Sequence, residues 1–314
     1  MYIGIDLGGT NIAVGVVDEK GNILATDSTP TEKERSFSEI VFDMAAVAKR
    51  ATAKAGLTPA DIKGVGIGCP GSVDDQNGVV VYSNNIKMEN APMAAEFQKH
   101  WDIPVSLIND ADAAAFGEFN MTAPDADSFV FMTLGTGVGG GVVLDGKLMR
   151  GCNGAAGELG HFCVELDGKL CTCGARGCLE CYASVTALIE QTKEKMAACP
   201  DSQMHAWVKE KGKVSGRTAF DCARLGDTAA IEVRDRYLYY VAVGVNSLIN
   251  IFQPKVFAIG GGISREGDTL LAPIKDFVKK NNYNKYLQET ELRIATLFNE
   301  AGIIGAAFAA MAKQ

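Results

Sequence analysis

Residues 2–17 read as a strand, a glycine turn and a second strand, with the apolar runs Tyr2 to Asp6 and Ile12 to Val17 flanking Leu7-Gly8-Gly9-Thr10-Asn11. Asp18-Glu19-Lys20-Gly21-Asn22 supplies a polar hairpin turn, and Ile23-Leu24-Ala25-Thr26 opens a third strand. The period then changes. Phe37, Ile40, Val41, Met44 and Val47 recur near 3.6 residues, which predicts a helix over 37–55. A strand follows at Gly64 to Gly68, with a turn at Cys69-Pro70-Gly71. Val105 to Ile108 makes a short buried strand ending at Asn109-Asp110, and an alanine-rich helix runs from Ala111 to Phe119.

The pattern then starts again. Phe129 to Thr133, Leu134-Gly135-Thr136-Gly137, Val138 to Leu144 and Asp145-Gly146-Lys147 repeat strand, glycine turn, strand, polar turn. Without gaps Leu7 falls on Leu134, Gly8 on Gly135 and Asp18 on Asp145, an offset of 127 residues. Two glycine-rich hairpins can look alike by chance; the alternative is two related domains facing each other. Residues 183–250 are mostly helical, Lys255 to Ile259 is a strand, Gly260-Gly261-Gly262 a turn, and Ile303 to Met311 an apolar helix. Strands alternating with helices give an α/β class. No low-complexity linker separates the halves, which predicts a hinged cleft.

The 314 residues are 47% hydrophobic and 22% charged, an ordinary globular balance for roughly two domains. Glycine is in excess, 35 residues or about 11% against a usual ~7%. The net charge of −8 argues against a general nucleic-acid or anionic-membrane binder. No stretch nears the ~18 to 20 apolar residues of a bilayer span, and Met1-Tyr2-Ile3-Gly4-Ile5-Asp6 has no signal-peptide pattern. Nine cysteines, an odd number, fit reduced thiols and a metal site better than a disulfide framework. These features describe an enzyme-sized cytoplasmic chain.

Glycine removes the Cβ, so backbone N–H groups can close on a phosphate. In Asp6-Leu7-Gly8-Gly9-Thr10 a carboxylate at the strand end can face hydrated Mg²⁺, and a hydroxyl can donate to a phosphate oxygen. Gly135-Thr136-Gly137-Val138-Gly139 has half the dinucleotide spacing, but a strand follows it, which counts against a Rossmann NAD site. A P-loop is absent, since no Gly-Lys-Ser/Thr occurs. One such loop alone is more often structural; three, each closing a strand, point to a nucleotide held between two lobes.

The sharpest local signal is His161 followed by Cys171-Thr172-Cys173-Gly174-Ala175-Arg176-Gly177-Cys178. One imidazole and three thiolates in a short glycine-rich loop suit tetrahedral Zn²⁺, and four protein ligands make the metal structural. Scattered thiols or a redox pair are the alternatives. The other six cysteines read as small buried or neutral residues, and His100 and His205 as solvated surface.

Several motifs taken together carry a resemblance. They are Asp6-Leu7-Gly8-Gly9-Thr10-Asn11, Asn109-Asp110, Leu134-Gly135-Thr136-Gly137 and Gly260-Gly261-Gly262, with Glu158-x-x-His161 and Cys171-x-Cys173-x4-Cys178-x-Glu180. In order and interval the chain resembles the ROK family of sugar kinases and repressors over nearly its whole length, nearest to the glucose-phosphorylating kinases. The resemblance implies a two-lobed actin-like ATPase (ribonuclease H-like) fold with an inter-lobe cleft and a structural zinc loop. Residues 1–112 plus 301–314 would form the small lobe, and 113–300 the large one. It also implies Asp110 as catalytic base, with Asn109, Glu158, His161 and Glu180 on the sugar hydroxyls and Gly71, Ser72 and Asn84 lining the same pocket. Asp6 would serve Mg²⁺. The nucleotide set would be Asp6, Gly8, Gly9, Thr10, Asn11, Gly135, Thr136, Gly137, Gly261 and Gly262. Zinc would sit on His161, Cys171, Cys173 and Cys178. ATP and a hexose become the expected partners, with a homodimer or homotetramer by analogy.

Chemistry supports these roles independently. Phosphoryl transfer asks a protein mainly to position groups and neutralise charge, and a carboxylate at a strand-to-helix corner can take the proton of a primary alcohol. Glu158 and His161, three apart, share a side if the loop curls. Zinc on one nitrogen of His161 leaves the other N–H to face a ligand. Asp110 could instead simply cap the following helix. Two departures from the family stand out. Asp112 occupies a position that is often Asn, and Ser83-Asn84-Asn85-Ile86-Lys87-Met88 lacks the usual Gly-Trp, leaving Asn84 and Asn85 as alternatives and other sugars (N-acetylmannosamine, allose, fructose) open. Polyphosphate remains an alternative donor. A sugar-sensing regulator of the family would need a DNA-binding module ahead of the first strand, which begins at residue 2.

Overall fold

The computed structural model describes residues 1–284, 286 and 289–313. The opening pattern becomes β1 (Tyr2–Leu7), β2 (Asn11–Val17) and β3 (Ile23–Pro30), joined as antiparallel neighbours. α1 (Phe37–Lys54) begins at a capping box in which the Ser36 N–H donates to Glu39 Oε2 at 2.9 Å and the Glu39 N–H donates to Ser36 Oγ. Its inner face buries Ile40, Val41, Met44 and Val47, the positions that set the helical period. β4 (Gly64–Cys69) is buried along its whole length, as a strand flanked by parallel partners must be.

β5 (Ser72–Asp74), β6 (Val79–Ser83) and β7 (Met88–Ala91) form a small antiparallel sheet, followed by α2 (Met93–Gln98). These elements add to the expected ones. Asp74-Asp75-Gln76-Asn77 and Ser83-Asn84-Asn85 chop the apolar runs too short for a period to show. β8 (Val105–Asn109) then leads directly into α3 (Asp110–Thr122). The first large sheet has the order β3-β2-β1-β4-β8, with β1, β4 and β8 parallel.

The repeat is structural as well as textual. β9 (Ser128–Leu134), β10 (Val138–Leu144) and β11 (Lys147–Leu148) follow, and β10 has the boundaries of β2 displaced by the same 127 residues. Next come α4 (Glu180–Ala183), α5 (Val185–Ala198), α6 (Met204–Lys211), α7 (Gly216–Arg224), α8 (Thr228–Phe252), β12 (Val256–Gly260), α9 (Asp268–Asn281), β13 (Glu291–Ile294) and α10 (Ala301–Met311). The second sheet runs β11-β10-β9-β12-β13, and its β12 and β13 are parallel as β4 and β8 are.

Two compact units result. One comprises Met1–Phe131, Gly140–Gly157 and the chain from Thr296 onward; the other comprises Met132–Gly139 and Glu158–Ala295. This differs from the boundary expected at residues 112 and 113. α3 stays with the first unit because Gly117 and Gly305 bring its backbone against α10; a β-carbon at Gly305 would run into the Ala113 carbonyl oxygen. Fully buried Glu118 adds a tie within that unit, accepting the N–H groups of Thr296 at 2.8 Å and Leu297 at 3.0 Å. Gln314, the last residue of the expected C-terminal segment, lies outside the described residues. α10 itself lies against β1 and β4, where a side chain on Gly66 would strike the Ala306 carbonyl oxygen.

Candidate active site and metal centre

In the first unit, the parallel arrangement of β1, β4 and β8 brings three chain turns to one sheet edge, Leu7 to Thr10, Cys69 to Gly71, and Asn109-Asp110. Asp6 pairs with Gly68 and Cys69 with Asn109, so Asp6 and Asp110 end the strands on either side of β4. Ligands gather at such carboxyl ends of parallel strands. Burial, and then the neighbouring Asp110 charge, push the Asp6 carboxyl up to about 6. Burial also raises Asp110, against hydrogen bonds from the backbone N–H groups of Ala111 and of Asp110 itself and from Asn109. Two carboxylates that destabilise each other's ionised form suit a divalent cation.

The cap of α3 falls mainly to Asn109, whose Oδ1 accepts the N–H groups of Ala111 at 2.8 Å and Asp112 at 3.1 Å. Its Nδ2 donates to the Gly71 carbonyl at 2.9 Å, leaving one amide hydrogen for a ligand. Asp110 also accepts from Ala111 at 2.9 Å through Oδ1, and its Oδ2 remains for chemistry. Asp112 is buried against Gly141 and Gly157. Gly71 has φ +98° and packs on the Tyr82 carbonyl, so it turns the chain where no side chain fits. Ser72 opens β5, while Asn84 and Asn85 both lie exposed in the turn after β6. Gly8 N–H donates to the Asn11 carbonyl at 3.0 Å, closing the glycine turn, with Gly9 inside it and the side chains of Thr10 and Asn11 exposed. Thr31, which sequence reasoning overlooked, ties this turn down. Its Oγ1 donates to the Gly8 carbonyl at 2.6 Å and its N–H to the Thr10 carbonyl at 3.0 Å.

The second unit builds a matching turn. The Gly135 N–H donates to the Gly137 carbonyl at 3.0 Å, and Thr136 is exposed. The Val185 N–H holds the Gly135 carbonyl at 2.8 Å and Thr186 Oγ1 holds that of Thr136 at 2.7 Å. Gly261, at φ +86°, packs against the backbone of Leu134, which draws Gly261 and Gly262 beside the same turn. Glu180 Oε2 accepts the Val138 N–H at 2.9 Å.

His161 N–H donates to the Glu158 carbonyl at 3.1 Å, so the loop does curl between these two residues. The ligand atoms of His161, Cys171, Cys173 and Cys178 all lie within 4.8 Å of one another. Cys171 Sγ is 3.6 Å from His161 Nδ1, and Cys173 Sγ is 3.7 Å from Cys178 Sγ. Tetrahedral ligands about 2.3 Å from Zn²⁺ stand about 3.8 Å apart, so the four side chains fit that ion. Burial raises the Cys171 thiol, yet hydrogen bonds from the Cys173 backbone and the surrounding thiols and imidazole bring it down to about 7. Burial and the neighbouring thiols push Cys178 up to about 12, a field a cation would reverse. Cys181, read from sequence as unrelated, sits at the margin of the cluster, and burial followed by the Cys171 charge raises it to about 11. All nine cysteines are free thiols.

An α/β fold with a duplicated sheet order, two glycine turns, an aspartate at a strand-to-helix corner and a four-ligand metal loop defines a class of protein. Residues 2–314 match the model of the ROK family, and the chain belongs to that family. It is 38% identical over 310 residues to the glucokinase of Thermotoga maritima, covering 97% of this chain and 95% of that one. It is 35% identical over 306 residues to the glucokinase of Halalkalibacterium halodurans, covering 97% and 93%. Among solved structures, the ROK family glucokinase of Streptomyces griseus in complex with glucose and AMPPNP matches with a TM-score of 0.83 and 35% identity, covering 99% of each chain. Among the described residues no helix is long and apolar enough to cross a membrane.

Proposed function

We propose that this protein is an ATP-dependent glucokinase that converts glucose and ATP to glucose 6-phosphate and ADP. The observation that carries the reading is Asp110, a carboxylate at the β8–α3 corner whose helix-capping duty falls mainly to Asn109. Its raised pKa suits a general base working near neutral pH. The sugar's primary hydroxyl gives its proton to Asp110 as its oxygen bonds to the γ-phosphorus, and the bond to ADP breaks. Asn109, Glu158, His161 and Glu180 hold the other hydroxyls, with Gly71, Ser72 and Asn84 beside them. Gly8, Gly9, Thr10 and Asn11, together with Gly135, Thr136, Gly137, Gly261 and Gly262, take the nucleotide. Asp6 is the residue that would hold Mg²⁺, which when bound neutralises phosphate oxygens. His161, Cys171, Cys173 and Cys178 would hold Zn²⁺, and the imidazole nitrogen left free of the metal faces the sugar in a fixed orientation. We place the enzyme in a reducing cytoplasm, supported by the nine free thiols, and expect it to work as a homodimer or homotetramer.

A coupled ADP-release assay over glucose, other hexoses and N-acetylhexosamines, with polyphosphate as a rival donor, tests the reading. Glucose with ATP should give the highest kcat/KM. Asp110→Asn should lower kcat by about 10² to 10⁴ while retaining sugar binding; near-normal turnover in that variant refutes the base.

A further inference from the structure

Glu180 sits where two parts of the second unit meet. Its Oε2 accepts the Val138 N–H at 2.9 Å, while its Oε1 lies 4.0 Å from the Sγ of Cys171. Its own N–H donates to the Gly160 carbonyl at 2.9 Å, next to His161. Two glycines make room for this joint. A β-carbon at Gly137 would run into Glu180 Oε2, and one at Gly160 would run into the Val138 carbonyl oxygen.

Taking the Leu134–Gly137 turn as nucleotide-binding, as the kinase reading does, we infer that Glu180 is a positioning residue coupling the metal centre to that turn, so that zinc strengthens nucleotide binding even without sugar. The physical route is short. Residues 171–178 carry three of the four metal ligands, and Glu180 follows them by two residues. With the ion in place the carboxylate is held at the exit of the turn, where it fixes the Val138 amide and leaves the turn's remaining amides set for phosphate. Without the ion the ligand loop relaxes, Glu180 shifts, and part of the binding energy goes into reordering the turn.

The test is calorimetric titration of AMPPNP with Mg²⁺ and no sugar, on the zinc-loaded enzyme and on enzyme stripped with dipicolinate, zinc content being measured by atomic emission. Stripping should weaken AMPPNP binding about tenfold. Loaded Glu180→Ala should lose about as much, and stripping that variant should add less than about twofold, since both changes remove one coupling. Loaded Glu180→Gln should stay within about twofold of the parent, because its amide oxygen still accepts the Val138 N–H. Unchanged affinity after stripping, losses that multiply, or a Gln variant as weak as the Ala variant would each overturn the inference. Should the stripped protein lose its circular dichroism, the loaded Ala and Gln variants decide alone. Glucose phosphorylation by the loaded parent is measured alongside. Its absence with the coupling intact removes the kinase reading only, and the converse result removes the coupling only.

Discussion

The turns Leu7–Asn11 and Leu134–Val138 share a backbone plan and differ in where their carboxylate comes from. Each closes a strand, each is followed by an antiparallel partner, and each has its carbonyls tied by a threonine from elsewhere in its own unit, Thr31 in one and Thr186 in the other. In the first turn the acid is on the strand itself, since Asp6 ends β1. At the corresponding place in the second the strand carries Thr133, and Glu180 reaches in from the metal-ligand segment. A duplicated scaffold has thus been filled in two ways, one acid being intrinsic to the sheet and the other held by an inserted loop.

The comparison can be broken at several points. The largest effect should come from packing on the first sheet. Gly66→Ala forces a methyl group into the Ala306 carbonyl and should cost about 3 kcal/mol, read as a lowered Tm. Gly135→Ala, with nothing near its β-carbon, should stay within about 0.5 kcal/mol. Next, Asp6→Asn should lower kcat by about 100-fold, roughly 2.7 kcal/mol, while Thr133→Val changes it less than about threefold. The same Asp6 variant should be more stable without metal. The folded carboxyl sits at about 6 against 3.8, so its ionisation opposes folding, and the penalty grows as pH rises through that window. Asp6→Asn should therefore melt higher than the parent at pH 7, by up to about 3 kcal/mol, with the gap closing below pH 4. Cys173→Ser should lose zinc and weaken glucose binding by about 10- to 100-fold, seen by metal analysis and calorimetry. Smallest, Thr31→Val and Thr186→Val should each cost about 1 kcal/mol in chemical denaturation; a large difference between them would show that the two tethers are not equivalent.

Much of this was legible in the chain. The period-two runs, the α1 stripe and the 127-residue offset foretold β1, β2, β9, β10 and their order, because strand and helix periods are local properties. The metal loop was readable because its four ligands lie within 18 residues of sequence, His161 to Cys178. What escaped is non-local. The edge sheet β5–β7 hides behind polar turns, and the Thr31 and Thr186 tethers join residues 23 and 50 positions apart. The boundary between units was misplaced because α3 is held by α10, whose sequence lies at the far end of the chain. Glu180 was singled out by motif, but its bond to Val138 spans 42 positions and has no sequence signature.

The way α10 roofs the first sheet bears on biosynthesis. β1 to β4 are among the first residues to be translated, yet the helix that covers one of their faces is translated after every strand. During translation that apolar face stays uncovered while Glu158–Ala295, nearly a whole unit in itself, emerges and can consolidate first. Synthesis order and folding order are therefore inverted, and chaperone demand should concentrate on the earliest part of the nascent chain.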